Sequence, residues 1–422
     1  MKLLWVCNTV PGEVQTKISG GSGSAYWIDH VLSDVRKRQI PLHILCRGGE
    51  GKGVLDENCS FCLFPQLPPQ QYSNQLEDLF FQELQDFQPD VIHIWGSEYA
   101  HTLAMVNAAE KAGKLDRTII SIQGLCFIYD RHYYEGVPLS VVQGYTFRDF
   151  IRRDNLLGQQ KVFAQRGALE KQALQKVRHV MGRTDWDRAC VESINPTAQY
   201  HFCNETLREP FYQDSWSYEA CQKHRIFASS CSYPIKGFHY LLEAFAKLLE
   251  KYPDATLAVP GKDFRNVSTL QKRLREGSYD RYLRKLVEKY HLEDKVEILG
   301  ALSAHQMKEQ YLKANVFVLP STIENSPNSM GEAMLLGAPT VAADVGGVST
   351  MLKHYEEGFV YQSTAPYMLA HYVDRVFSME ASAETMGQAA AQHGRKTHDP
   401  EANLEALLHT YSTVAGAAKG GI

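Results

Sequence analysis

Two doubly wound α/β domains are the fold this sequence predicts, and three observations lead there. At 422 residues the chain exceeds what one hydrophobic core commonly serves. Short apolar runs alternate with longer amphipathic segments almost from end to end, as when parallel strands are joined by crossover helices. Residues 206–223 are rich in aromatic and polar side chains but follow neither periodicity, which suits a connector between domains.

The expected order is a first domain over 1–205, the connector over 206–223 and a second domain over 224–398. Residues 399–422 supply a last helix, after Pro400, that packs back toward the first domain. Strands are expected at 3–7, 42–46, 91–95, 118–122 and 179–182, then at 225–229, 255–259, 296–299, 316–319, 339–342 and 359–361. The helix over 238–251 is typical of the segments between them, with Leu241, Leu242, Ala244, Phe245, Leu248 and Leu249 at core-facing spacing.

Composition excludes several classes. Hydrophobic residues make up 44% and charged residues 22%, ordinary values for a soluble globular chain. A formal charge of −4 gives no general attraction to nucleic acid, so no nucleic-acid partner is expected. The nine cysteines lack the dense spacing of a disulfide-stapled domain and fit a reducing compartment. Cys59 and Cys62 form a Cys-x-x-Cys, but no second pair follows at zinc spacing, and they read as strand or loop thiols. The run over 3–10 is a poor leader peptide and a good first strand, and no stretch reaches the ~20 apolar residues of a membrane span. The expected location is cytoplasmic, with peripheral contact at the inner face of a membrane left open.

The segment Glu324-Asn325-Ser326-Pro327-Asn328-Ser329-Met330-Gly331-Glu332 carries the strongest local signal. It follows the strand over 316–319, and ligands of open parallel sheets sit beyond the carboxyl ends of strands. Residues 325–328 are expected to cap the next helix, whose amides near Ser329 and Met330 would face a diphosphate. Glu332 would accept ribose hydroxyls from the helix, while Glu324 stays free in the loop to accept sugar hydroxyls.

This segment, with the Gly337-Ala338-Pro339-Thr340 run, Gly346-Gly347 and Lys236-Gly237, resembles the retaining glycosyltransferases of family 4, within glycosyl transferases group 1. The resemblance covers most of the second half and, more loosely, the first. It implies the GT-B fold: two Rossmann-like, doubly wound parallel-sheet domains facing a central cleft. It implies no cofactor and no metal, a nucleoside-diphosphate sugar as donor, and a glycan or lipid-linked saccharide as acceptor in bacterial surface polysaccharide synthesis. Lys236 corresponds to the family's diphosphate-contacting lysine, and Leu302 to the segment lying against the base. Gly261 looks like a position of close approach. Rival readings are a non-catalytic nucleotide-sugar binder and another GT-B enzyme such as an epimerase.

In the first half, Gly20, Gly21 and Ser22 sit in a glycine-rich run expected to follow the first strand and open a helix toward an anion. Its spacing is not that of a dinucleotide fingerprint, which argues against a dehydrogenase. Ser230 and Cys231 stand where relatives carry arginine, and Gln123 where many carry histidine. Arg183 is the expected substitute cation. Asp185 and Asp187 read as helix-start residues rather than metal ligands. Trp95, Glu98, Tyr129 and Arg131 are expected on the acceptor side, and the aromatic and arginine-rich stretch 127–166 to frame it and touch membrane.

Overall fold

The computed structural model describes residues 1–20 and 27–417. They divide into two compact units: Met1–Ile128, Val162–Arg208 and Thr397–Ile422 form the first, Tyr129–Lys161 and Glu209–Lys396 the second.

The first unit is built on β1 (Leu3–Cys7), β2 (Leu42–Arg47), β3 (Gly51–Asp56), β4 (Cys59–Phe64), β5 (Val91–Trp95), β6 (Thr118–Ser121), β7 (His179–Gly182) and β8 (Gln199–Phe202), in the order β3-β4-β2-β1-β5-β6-β7-β8. Every pairing is parallel except β3 with β4. β1 shows why so apolar a run becomes a central strand. Side chains alternate across a sheet, and Leu4 and Val6 enter a core with Phe80, Leu103 and Leu174. Leu3, Trp5 and Cys7 enter the opposite core with Leu32, Leu407 and Tyr411. The last helix, Pro400–Ala417, therefore covers one face of this sheet.

β3, β4 and β8 are strands that periodicity did not reveal. β3 is a glycine-bearing, largely exposed edge, and β8 is half exposed, so neither carries a buried apolar run. β4 holds the Cys-x-x-Cys. Three residues apart on a strand, Cys59 and Cys62 point to opposite faces and join different cores, a geometry in which they cannot share a metal or a disulfide. Burial pushes their thiols up to about 12 and about 11.

The second unit has β9 (Arg225–Ala228), β10 (Thr256–Val259), β11 (Val296–Ile298), β12 (Val316–Leu319), β13 (Thr340–Ala343) and β14 (Phe359–Tyr361), all parallel, in the order β11-β10-β9-β12-β13-β14. The helix Phe238–Lys251 buries Leu241, Leu242, Ala244, Phe245 and Leu248, while Leu249 is half-buried at the edge of that stripe.

Two boundaries differ from the expected ones. Residues 129–161 cluster with the second unit rather than the first, because Asp149 anchors them there. Its carboxylate accepts from the Thr146 and Ser278 amides, each at 3.1 Å, and from the Ser278 hydroxyl. The expected connector is also largely structure. Phe211 and Trp216 are buried, and Trp216 donates its ring N–H to Ala314 O at 2.7 Å and its amide to Leu336 O at 2.7 Å. The aromatics that made 206–223 look irregular are core of the second unit.

Candidate functional site

In the second sheet the chain moves outward from β9 through β10 to β11, then returns to β12 on the other side of β9. Their neighbouring carboxyl ends form a topological switch point, where a crevice opens in doubly wound sheets. The loop after β9 ends in a tight turn, Pro234–Lys236, and Gly237 at φ 63°. A Cβ on Gly237 would strike the Pro320 carbonyl, so glycine lets the loops after β9 and β12 touch backbone to backbone. Thr322 N donates to Ile235 O at 2.8 Å across the same seam. Gly346, at φ 52° after β13, lies equally close to the Glu324 carbonyl, which also accepts from Gly347 N at 3.2 Å.

These three loops set a charged pair. Lys236 Nζ lies 2.6 Å from Glu324 Oε1, and Ser321 Oγ donates to the same oxygen at 2.7 Å. Burial lowers the Lys236 pKa, but the Glu324 carboxylate and the nearby Tyr233 outweigh it and hold the group above its ordinary value. The side chain nonetheless keeps 24% exposure, enough for a ligand to reach the ammonium. Glu324 is thus not the free acceptor that the sequence suggested, since one oxygen is committed to Lys236 and Ser321. Ser321 and Tyr233 are the members of this group that sequence reasoning gave no role; Ser321, three residues before Glu324 in a tight loop, was the readable signal.

Asn325 and Ser326 are buried, the latter with Oγ 3.3 Å from Met351 Sδ. The helix Asn328–Leu336 follows, with Pro327 as its N-cap and no capping side chain. The expected side-chain cap is therefore corrected: proline fixes the entry angle instead. The amides of Met330 and Gly331 turn back to Pro327 O at 2.9 and 3.2 Å, so Met330 does not offer an open N–H. Asn328 and Ser329 are half-buried at the helix start, the Ser329 carbonyl accepting from Tyr311 Oη at 2.9 Å. Glu332 is buried on the same helix.

Beyond β10 and β11, Gly261 (φ 131°) donates its amide to Gly300 O at 2.8 Å, and Leu302 is half-buried in the loop that follows. At the positions where an arginine was expected, Ser230 pairs with Ser232 (Oγ to Oγ 3.0 Å) and Cys231 is buried, its thiol pushed up to about 12 by burial.

The first-unit residues fall into separate groups. Arg183 is 5% exposed and pairs with Glu205 at 2.8 Å, while Gln123 bonds both Glu205 and, at 3.5 Å, the Arg183 guanidinium. A freely offered cation is not what Arg183 provides, because Glu205 already neutralises it. Asp187 completes a capping box with Thr184, the actual N-cap of the helix Asp185–Ile194, and also accepts from the Arg183 amide at 3.0 Å. Trp95 is buried against His93, ring centroids 3.8 Å apart. Burial raises the Glu98 carboxyl, which accepts from Asn8 Nδ2 at 3.3 Å. Tyr129 and Arg131 belong to the second unit, so the four acceptor-side picks do not form one cluster within a unit. Gly20, at φ 69°, ends the helix Gly12–Ser19, so that helix, not the glycine-rich run, follows β1. Gly21 and Ser22 lie outside the described residues.

Comparisons with known proteins agree with this arrangement. Residues 220–393 match the family model described as Glycosyl transferases group 1. An uncharacterized glycosyltransferase of Methanocaldococcus jannaschii is 31% identical over 157 residues, 37% of this chain and 36% of that protein. A protein of Escherichia coli, provisionally named the colanic acid biosynthesis glycosyltransferase WcaL, is 32% identical over 131 residues, 30% of this chain and 29% of its own length. The chain thus aligns with about a third of each of these relatives. HepE of Anabaena, solved in complex with UDP-glucose, matches in fold with a TM-score of 0.66 at 15% identity, over 98% of this chain and 100% of that one. The likeness to glycosyl transferases group 1 thus lies over residues 220–393, in a chain whose two parallel-sheet α/β units make a fold of the GT-B kind.

Proposed function

We propose that this protein is a retaining glycosyltransferase that moves a sugar from a nucleoside-diphosphate donor to a hydroxyl acceptor. The observation that carries the reading is the Lys236–Glu324 pair, held by three loops at the switch point of the second sheet. The chemistry breaks the bond between the anomeric carbon and phosphate oxygen and forms one to the acceptor oxygen. Negative charge grows on the leaving diphosphate, and a fixed ammonium stabilises it without reorganising. Lys236 in that role supports a metal-independent, cofactor-free reaction. With retention, the acceptor attacks from the face the phosphate leaves, and its proton passes to a phosphate oxygen. Glu324 orients Lys236 and accepts a sugar hydroxyl, with Glu332 on the ribose, Asn325, Ser326, Asn328 and Ser329 around the phosphates, and Leu302 and Gly261 by the base.

The relatives' names and UDP-glucose bound to HepE support a sugar nucleotide donor and a glycan or lipid-linked acceptor in surface polysaccharide synthesis. Peripheral membrane contact has its own support. Leu139, Tyr145, Phe147, Phe150 and Ile151 are all more than half exposed, next to exposed Arg152 and Arg153, on the segment that Asp149 clamps. Apolar rings beside cations suit an anionic lipid surface. Among the described residues no helix is long and apolar enough to cross a membrane. Retention on anionic vesicles, lost in Phe150→Ser, is the expected result.

A second reading, a silent nucleotide-sugar binder, is favoured by Ser230 and Cys231 standing in place of a cation. Incubation with a panel of nucleotide sugars in the presence of a chelator separates the two. A transferase releases nucleoside diphosphate and keeps the anomeric configuration in its product; a binder releases none.

A further inference from the structure

The first sheet has its own switch point, between β1 and β5. There the chain passes through Gly96, at φ 108° in close contact with Asn8 and Glu98, to Tyr99. The ring of Tyr99 is stacked on His101, centroids 5.3 Å apart, and is approached by two guanidiniums. Arg47, at the end of β2, lies 5.1 Å from the ring centroid, and Arg166 lies 5.0 Å from it and 4.8 Å from the Phe163 ring. Arg47 donates to Leu67 O at 2.7 Å, and Arg166 Nε donates to Glu98 O at 2.7 Å. Each guanidinium carries five N–H donors, so most of each fork stays unused by acceptors among the described residues.

Among the described residues neither arginine has a carboxylate within the 4.0 Å of an ion pair. Arg36, Arg183, Arg225 and Arg284 all do. Both arginines are half-buried, so solvent screens them incompletely. The titratable groups around them are Glu98, Glu170 and His101. Burial pushes Glu170 up to about 8, which leaves it neutral at pH 7, and raises Glu98. Burial first, then Arg47 and Arg166, pushes His101 down to about 3. Arg47 and Tyr99 border a cleft of about 470 Å³ with Asn8, Gln15, Ser19 and Gln66.

We infer that this cleft binds a phosphate group of the acceptor on the Arg47 fork, with Arg166, outside the cleft lining, positioning the Tyr99 ring. Planar guanidinium forks match phosphate oxygens two at a time, and aromatic faces pre-orient them. The inference rests on the transferase reading only for the word acceptor; the phosphate site stands on the first unit alone.

Calorimetric titration of the full chain with glucose 6-phosphate, with UDP saturating the donor crevice, tests it. Glucose 6-phosphate is expected to bind, at least tenfold more weakly in Arg47→Gln and by a smaller factor in Arg166→Gln, with neutral glucose silent. Lysine at either position, keeping charge without the fork, is expected to fall between wild type and glutamine, and thermal unfolding checks that each variant folds. A parallel arm uses phosphatidylcholine vesicles carrying phosphatidic acid. Arginine-dependent retention there, without glucose 6-phosphate binding, assigns the phosphate to a lipid. Equal binding by wild type and both glutamine variants, preference for glucuronate over glucose 6-phosphate, or no phosphate binding in either arm overturns the proposal. Should UDP fail to bind while glucose 6-phosphate binds through the arginines, the donor reading fails and this one stands.

Discussion

The two switch points carry positive charge in different states. In the second unit a single ammonium, Lys236, is already neutralised by Glu324 at 2.6 Å. In the first unit Arg47 and Arg166 flank one tyrosine and, among the described residues, neither has a carboxylate within ion-pair distance. A paired cation must share or exchange its partner when an anionic ligand arrives, so its apparent affinity is a difference between two interactions. A cation held only by carbonyls and a ring has no opposite charge to exchange. The pair at Lys236 thus suits a site where charge develops during reaction, and the arginines suit a site that holds standing charge.

Variants at the two points sharpen that contrast, and the largest effect belongs to Lys236→Ala. It removes the charge opposite the leaving diphosphate and strands Glu324, and nucleoside diphosphate release is expected to fall about 10²- to 10³-fold. Arg47→Gln is expected to raise KM for a phosphorylated acceptor. Next comes Gly237→Ala, which combines φ 63° with a clash against the Pro320 carbonyl. It is expected to cost the second unit about 2 to 4 kcal/mol. Gly113→Ala, in the first unit at φ 64° with open space around it, is expected to cost only about 1 kcal/mol. Calorimetric unfolding reads both.

The first unit also has a pH signature. Glu170, buried against the Ser97 hydroxyl at 2.6 Å, holds its proton to about pH 8 in the folded state and loses it near the ordinary carboxyl value when unfolded. The folded state therefore binds more protons between those limits, and stability falls as pH rises toward 8. Buried His93 and His101, each pushed down to about 3, act oppositely, but only below the ordinary histidine range. Between about pH 6.5 and 8 the Glu170 effect, on the order of 2 kcal/mol, is no longer opposed by these histidines. Glu170→Gln is expected to reduce that slope in thermal unfolding, and an unchanged slope would contradict it.

Sequence reasoning read the second unit better than the first, for a physical reason. Buried parallel strands such as β12 and β13 are short runs of mostly apolar residues, and the segment from Glu324 to Glu332 is a contiguous motif, so both are local in sequence. Lys236 and Glu324 could each be picked, but their pairing could not: it depends on Gly237 and Gly346 letting three loops close. In the first unit, β3 and β8 lack buried runs, and the Gln123–Arg183–Glu205 cluster joins residues from three distant segments. The same aromatic residues that suggested a connector at 206–223 turned out to be core, since aromatic content alone does not separate a linker from a non-periodic buried stretch.

The most direct test of the account is the affinity of UDP, or of GDP should UDP not bind, for wild type, Lys236→Ala and Arg47→Gln, measured calorimetrically. The account predicts at least a tenfold loss in Lys236→Ala and none in Arg47→Gln. Undiminished binding in a folded Lys236→Ala protein would contradict it.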